Sequence, residues 1–147
     1  MSEEKKKEVN VTTRIKSIRL VDFICETISA EQQKNLNPDV FSFEQNVNLR
    51  IIPVVNLLEI SYDTIVFSDE QKNKKLGEIT TIGEFEILNL DELKQGENAL
   101  IPTELLAMFV GIMIATVRGM LIVKSSGTIL ERAIIPILNP MDFFNKQ

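Results

Sequence analysis

Residues 105–123 read LLAMFVGIMIATVRGMLIV, 19 positions carrying a single charge, Arg118. No other segment restricts the fold as strongly, because a helix through it presents apolar side chains in nearly every direction. Three surroundings satisfy such a helix: lipid, the core of its own domain, or copies of itself. A membrane span needs about 20 apolar residues, which the length meets. Against a span, Arg118 near its centre costs roughly 2.5–3.5 kcal/mol on insertion scales. A single sheet covers only one side of a helix. Leu105, Met108, Ile112 and Val123 occupy a different arc from Phe109, Met113, Val117 and Leu121, so the second arc needs another partner. Ala107, Gly111, Ala115 and Gly119 recur every four positions, a small-residue stripe that lets a second helix approach closely, although membrane helices use such stripes too. These four residues are the expected oligomer interface of a homodimer or homotetramer. A single-span membrane anchor is the alternative of another class.

The remaining composition excludes whole classes of chemistry. With 147 residues, 44% hydrophobic and 25% charged, the chain is long enough for one domain with a real core. That domain is expected over residues 13–147, after a disordered start at 1–12 in which a run of mixed sign, Glu3 to Glu8, is solvated. A net charge of -5 gives no basic stripe for nucleic acid. There is no histidine, and Cys25 is the only cysteine. Ser-His-Asp and Cys-His catalysis, His-containing metal sites and CxxC sites are therefore impossible within the chain. No phosphate-binding or dinucleotide motif occurs. Carboxylates alone could serve acid–base chemistry, but no nucleophile motif accompanies them. A non-enzyme without cofactor or metal is expected. The charged start lacks the apolar core of a secretory signal, so a cytoplasmic protein is expected.

Ahead of the apolar run the pattern is that of strands. Residues 14–26 are rich in β-branched and aromatic side chains, and a polar connection with Asn35, Asn37 and Pro38 follows. Phe41, Phe43, Val47, Leu49 and Ile51 then alternate with Ser42, Glu44, Asn46, Asn48 and Arg50, with Gln45 the one polar residue in the apolar row. Such alternation marks a strand with one wet face, which antiparallel sheets tolerate. Residues 57–67 and 76–88 make two more strands. In the last, Ile79, Thr81, Phe85 and Ile87 share one face, and Leu76, Glu78, Thr80, Ile82 and Glu84 are expected on the other. Pro102 and Glu104 suit a helix start, with Gly127 as a stop. Two prolines, Pro136 and Pro140, make the tail an extended cover rather than a helix. The fold class expected is α+β: a four-stranded antiparallel sheet, one long apolar helix and a proline-containing extended tail.

This order of elements resembles the bacterial export chaperone family SecB over roughly residues 14–144. The most specific pieces are Ala99-Leu100-Ile101-Pro102 leading into the helix, Arg118-Gly119 downstream, and the tail Pro136 to Phe144 (PILNPMDFF). The stretch between Arg118-Gly119 and the tail is longer here than in well-known members. The resemblance implies an ATP-independent, cofactor-free oligomer that binds unfolded preproteins and passes them to the translocase motor SecA. It implies motor docking at Asp22 and Glu26, matching an Asp-x-x-x-Glu pair, and at Leu76 and Glu78, matching Leu-x-Glu. Residues two or four apart on a strand share a face, and such carboxylates suit a small basic partner. The bland alternative is that they are solvated charges. Clients are implied at the loop after the first strand, the second strand and the tail, where Phe41, Phe43, Phe143 and Phe144 are the apolar candidates. The clean alternation around Phe41 and Phe43 equally suits plain core. A relative dedicated to one client, such as an antitoxin or element-encoded protein, is the alternative within the family.

Overall fold

The computed structural model describes residues 12–95, 98–99 and 101–145. Apart from Thr12, the expected disordered start lies outside the described residues. Four long strands form the sheet: β1 (Thr13–Cys25), β2 (Ser42–Ile52), β3 (Leu57–Phe67) and β4 (Lys75–Ile87). All neighbours are antiparallel, in the order β1-β4-β3-β2. β1 and β2 are thus the two edges, and the connection between them must cross the whole sheet. It does so through a short helix, α1 (Ala30–Lys34), opened by a Ser29–Gln32 capping box, which satisfies two helix-end donors reciprocally. A two-residue ladder, β5 (Lys94–Gln95) with β6 (Asn98–Ala99), precedes the long helix α2 (Thr103–Lys124).

The alternation read in the sequence sets the two faces. On β3, Leu58, Ile60, Tyr62, Thr64 and Val66 are buried and the residues between them are not. On β4, Ile79, Thr81, Phe85 and Ile87 face the same core, and α2 packs over them with Phe109, Val110, Met113, Ile114, Val117 and Leu121. Each such side chain stabilises by about 1.5–3 kcal/mol when taken fully out of water. At Gly83 a side chain would strike the sulfur of Met113 and come within 2.9 Å of the Phe85 ring, so glycine is what lets α2 sit down on β4.

α2 begins where Pro102 places its carbonyl to accept from the amides of Leu105 and Leu106, at 3.0 and 3.1 Å. Beyond Ser125, Gly127 turns the chain at φ +77°, and Leu130, Ala133 and Ile135 continue as core. Arg118 explains its own place in the apolar run: Nε donates to the carbonyl of Ile135 at 2.9 Å and a terminal nitrogen to that of Pro136 at 2.7 Å. It clamps the returning tail. The expected α+β fold, with four antiparallel strands, long helix and extended tail, is what the chain adopts.

Candidate functional site

The wet face of the sheet carries the expected carboxylates. Asp22 pairs across to Thr80 and Ile24 to Glu78, so Asp22 and Glu78 are diagonal neighbours on that face. Glu26 continues the same alternation, its amide donating to the carbonyl of Leu76 at 2.9 Å. Glu78 is already engaged, since Lys75 Nζ lies 2.5 Å from its carboxylate. That bond and a hydrogen bond from Asp63 hold Glu78 below the usual carboxylate range. Asp63 is pushed up, first by burial and then by Glu78, while the hydroxyl of Thr80 (2.8 Å) opposes the shift.

Leu76 departs from the expected pattern. Val66 pairs with Gly77 but Phe67 with Lys75, which leaves Leu76 as an extra residue in a bulge. The bulge breaks the two-residue period, and Leu76 is fully buried in the core cluster rather than lying beside Glu78. Asp22, Glu26 and Glu78 share the surface; Leu76 offers none of it.

The four phenylalanines divide between two places. Phe43 stands on the core side of β2, opposite Val66. Phe143 comes back to it from the far end of the chain, on a turn over Pro140–Phe143 whose start is held by Asn139 Oδ1 accepting from the Met141 amide at 3.1 Å. The Phe143 ring meets Tyr62 edge-on at 6.3 Å. Between them lies a cavity of about 290 Å³ lined by Phe43, Gln45, Leu138, Asn139, Asp142 and Phe143, with Glu44 and Lys72 at its rim. Phe41 borders a separate cavity of about 220 Å³ shared with Leu36, Pro38 and Ile129. Phe144 packs, partly buried, against the core. A third cavity of about 360 Å³ lies under the β1–β2 connection, between Ile28, Leu36, Val40 and the β3–β4 turn. Among the described residues, the β1–β2 connection thus borders two of these hollows and the tail borders the other. Sequence reading missed Leu36, Leu138 and Ile129, whose neighbours come from distant parts of the chain. It also missed Tyr62, whose phenol is pushed up by burial against opposing pulls from Thr64 and Arg118.

The small-residue stripe of α2 is split. Ala107 is buried, and a side chain at Gly111 would come 3.2 Å from Pro140, so both serve the chain's own packing. Ala115 and Gly119 are exposed, and nothing lies within 4 Å of a side chain built at Gly119. Met108 (48% exposed), Ile122 (49%) and Val123 (74%) extend this bare apolar surface. By length and composition α2 could cross a membrane. Seven of its residues are nevertheless buried within the chain's own fold, surroundings that a lone span in lipid does not have.

No family model and no curated relative matches the sequence. Among solved structures, the fold is similar to that of a SecB-like chaperone from Mycobacterium tuberculosis, determined in complex with a ChAD peptide from an antitoxin. The match has a TM-score of 0.58 at 14% identity and covers 86% of this chain and 89% of the other. The fold of this chain is SecB-like.

Proposed function

We propose that this protein is a chaperone that binds unfolded polypeptides without ATP. The observation that carries the reading is the cavity on the core side of edge strand β2, between Phe43 and a cover made by Leu138 and Phe143 of the returning tail. Apolar side chains presented in a hollow beside an edge strand suit an extended peptide, whose side chains alternate between burial and solvent. The neighbouring hollow at Phe41 would lengthen that track. Similarity of fold to a chaperone solved with a bound peptide supports the reading. Clients are preproteins for export, delivered through a contact of Asp22, Glu26 and Glu78 with a basic segment of the translocase motor SecA in the cytoplasm. The assembly is a homodimer or homotetramer joined along the bare side of α2 at Ala115 and Gly119. A second reading, service to one dedicated client, is favoured by the antitoxin peptide in the similar structure. Titrating a labelled, permanently unfolded protein with the purified chain tests the proposal. Saturable binding without nucleotide is expected, and binding confined to one neighbour-encoded protein selects the second reading. Absence of binding to any unfolded chain contradicts both.

A further inference from the structure

We propose that the floor of this cleft is a main-chain-binding site. Its hydrogen-bonding groups are the Gln45 carboxamide, which lines the cavity, and the hydroxyl of Tyr62, whose ring meets that of Phe143 beside it, and residues 137–144 lie over it as a resident surrogate for the client. The inference rests on the chaperone reading above and adds what inside the cleft recognises a polypeptide and what must leave to admit it.

The floor holds two unused polar groups. Gln45 interrupts the apolar row of β2; its Oε1 accepts from the Thr64 hydroxyl at 2.6 Å, but its Nε2 is sealed from solvent with no hydrogen-bond partner. On the adjacent strand Tyr62 stands opposite Val47, fully buried, and its hydroxyl, though near Thr64, makes no hydrogen bond of normal geometry. An unpaired buried polar group costs about 1–3 kcal/mol. Phenylalanine at 62 would fill the same space without that cost, and the buried Thr64 hydroxyl needs only the Gln45 Oε1, so the phenol and the Gln45 Nε2 mark a place built to receive acceptors. Peptide carbonyls are the acceptors that every client offers irrespective of its sequence.

The cover over this floor behaves like an occupant. Phe143 sits edge-on to Tyr62, and Leu138, Asn139 and Asp142 close the cavity opposite Gln45. Pro140 breaks any strand pairing by this segment, so it cannot present a regular row of carbonyls to the floor. The Arg118 clamp ends at Pro136, and the next residue, Ile137, is 97% exposed. In the turn that follows, the amides of Met141 and Asp142 donate to Asn139 and that of Phe144 to the Met141 carbonyl, all within the turn. Apolar contacts at Leu138, Pro140, Phe143 and Phe144 hold the rest. A segment with its polar clamp at one end and apolar contacts along the rest is arranged to give way when a better-paired chain arrives.

The test uses the full chain, with reduced, carboxymethylated α-lactalbumin as a labelled unfolded probe, read by fluorescence anisotropy and paired with urea unfolding of each variant. Tyr62→Phe and the double variant Gln45→Leu with Thr64→Val, which strands no hydroxyl, are expected to keep or raise the urea midpoint while weakening the probe by about three- to tenfold each, the worth of one neutral hydrogen bond. Phe143→Ser, which loosens the surrogate, is expected to tighten it several-fold. Unchanged affinity in Tyr62→Phe and in Gln45→Leu with Thr64→Val, or weaker binding in Phe143→Ser, overturns this inference while leaving the chaperone reading standing. No binding by wild type and by Phe143→Ser overturns both.

Discussion

Arg118 shows how one charge is accommodated in a helix that is otherwise apolar. Its guanidinium bridges two successive tail carbonyls, those of Ile135 and Pro136, and hydrogen bonds from a charged donor are worth more than neutral ones. Arg118→Ala is expected to lower stability by about 2 kcal/mol in urea unfolding and to expose the tail to limited proteolysis. Arg118→Lys, which cannot fork to both carbonyls, is expected to restore only part of this. On the opposite face Asp63 carries a different electrostatic signature. Because its folded carboxyl titrates above the unfolded one, ionising it opposes folding, so its contribution worsens as pH rises through that interval. Glu78, held low by Lys75 and Asp63, has the opposite sign and loses its contribution as pH falls. Asp63→Asn is therefore expected to raise the urea midpoint at pH 7 relative to wild type. The gain should shrink below the usual carboxylate range, and a loss at pH 7 would refute this account of the pair.

The main elements were legible because their periods are strong. The β2 row from Phe43 to Ile51 and the β4 row from Ile79 to Ile87 each commit one face to the core, and the tail prolines forbid a helix. The bulge at Leu76 was signalled only by the adjacent Gly77, a residue that often marks a bulge within a strand, because the alternation around it reads as unbroken. The cleft was not legible: Phe43 with Phe143, and Leu36 with Ile129, meet only once the tail has folded back. Gln45 did leave a mark, as the single polar residue in an apolar row, but its meaning depends on Thr64 and on the cover above it. Docking of α2 on the sheet turns on Gly83. Gly83→Ala is expected to cost about 1–3 kcal/mol through overpacking against Met113 and Phe85. The double variant with Met113→Ala should recover part of that loss in a thermal melt, whereas a neutral Gly83→Ala would show that the approach is looser than described.

At the scale of the molecule, the sheet uses one side of α2 and leaves the other bare. An exposed helical glycine with open space around it costs up to about 1 kcal/mol relative to alanine, and at Gly119 that space is wide enough for the second helix proposed above. If a second copy uses that room, light scattering in detergent-free buffer should give a dimer or tetramer, and Gly119→Leu should dissociate it. A monomeric wild type contradicts the assembly. The assembly is secondary to the cleft, however, because client binding is what the fold, the hollows beside β2 and the aromatic cover are together taken to serve. The most direct measurement is light scattering of a chemically denatured protein diluted into stoichiometric amounts of this chain with no nucleotide present. The account predicts that aggregation is suppressed in proportion to added chain, and more strongly by Phe143→Ser. Aggregation at the same rate with and without the chain would contradict it.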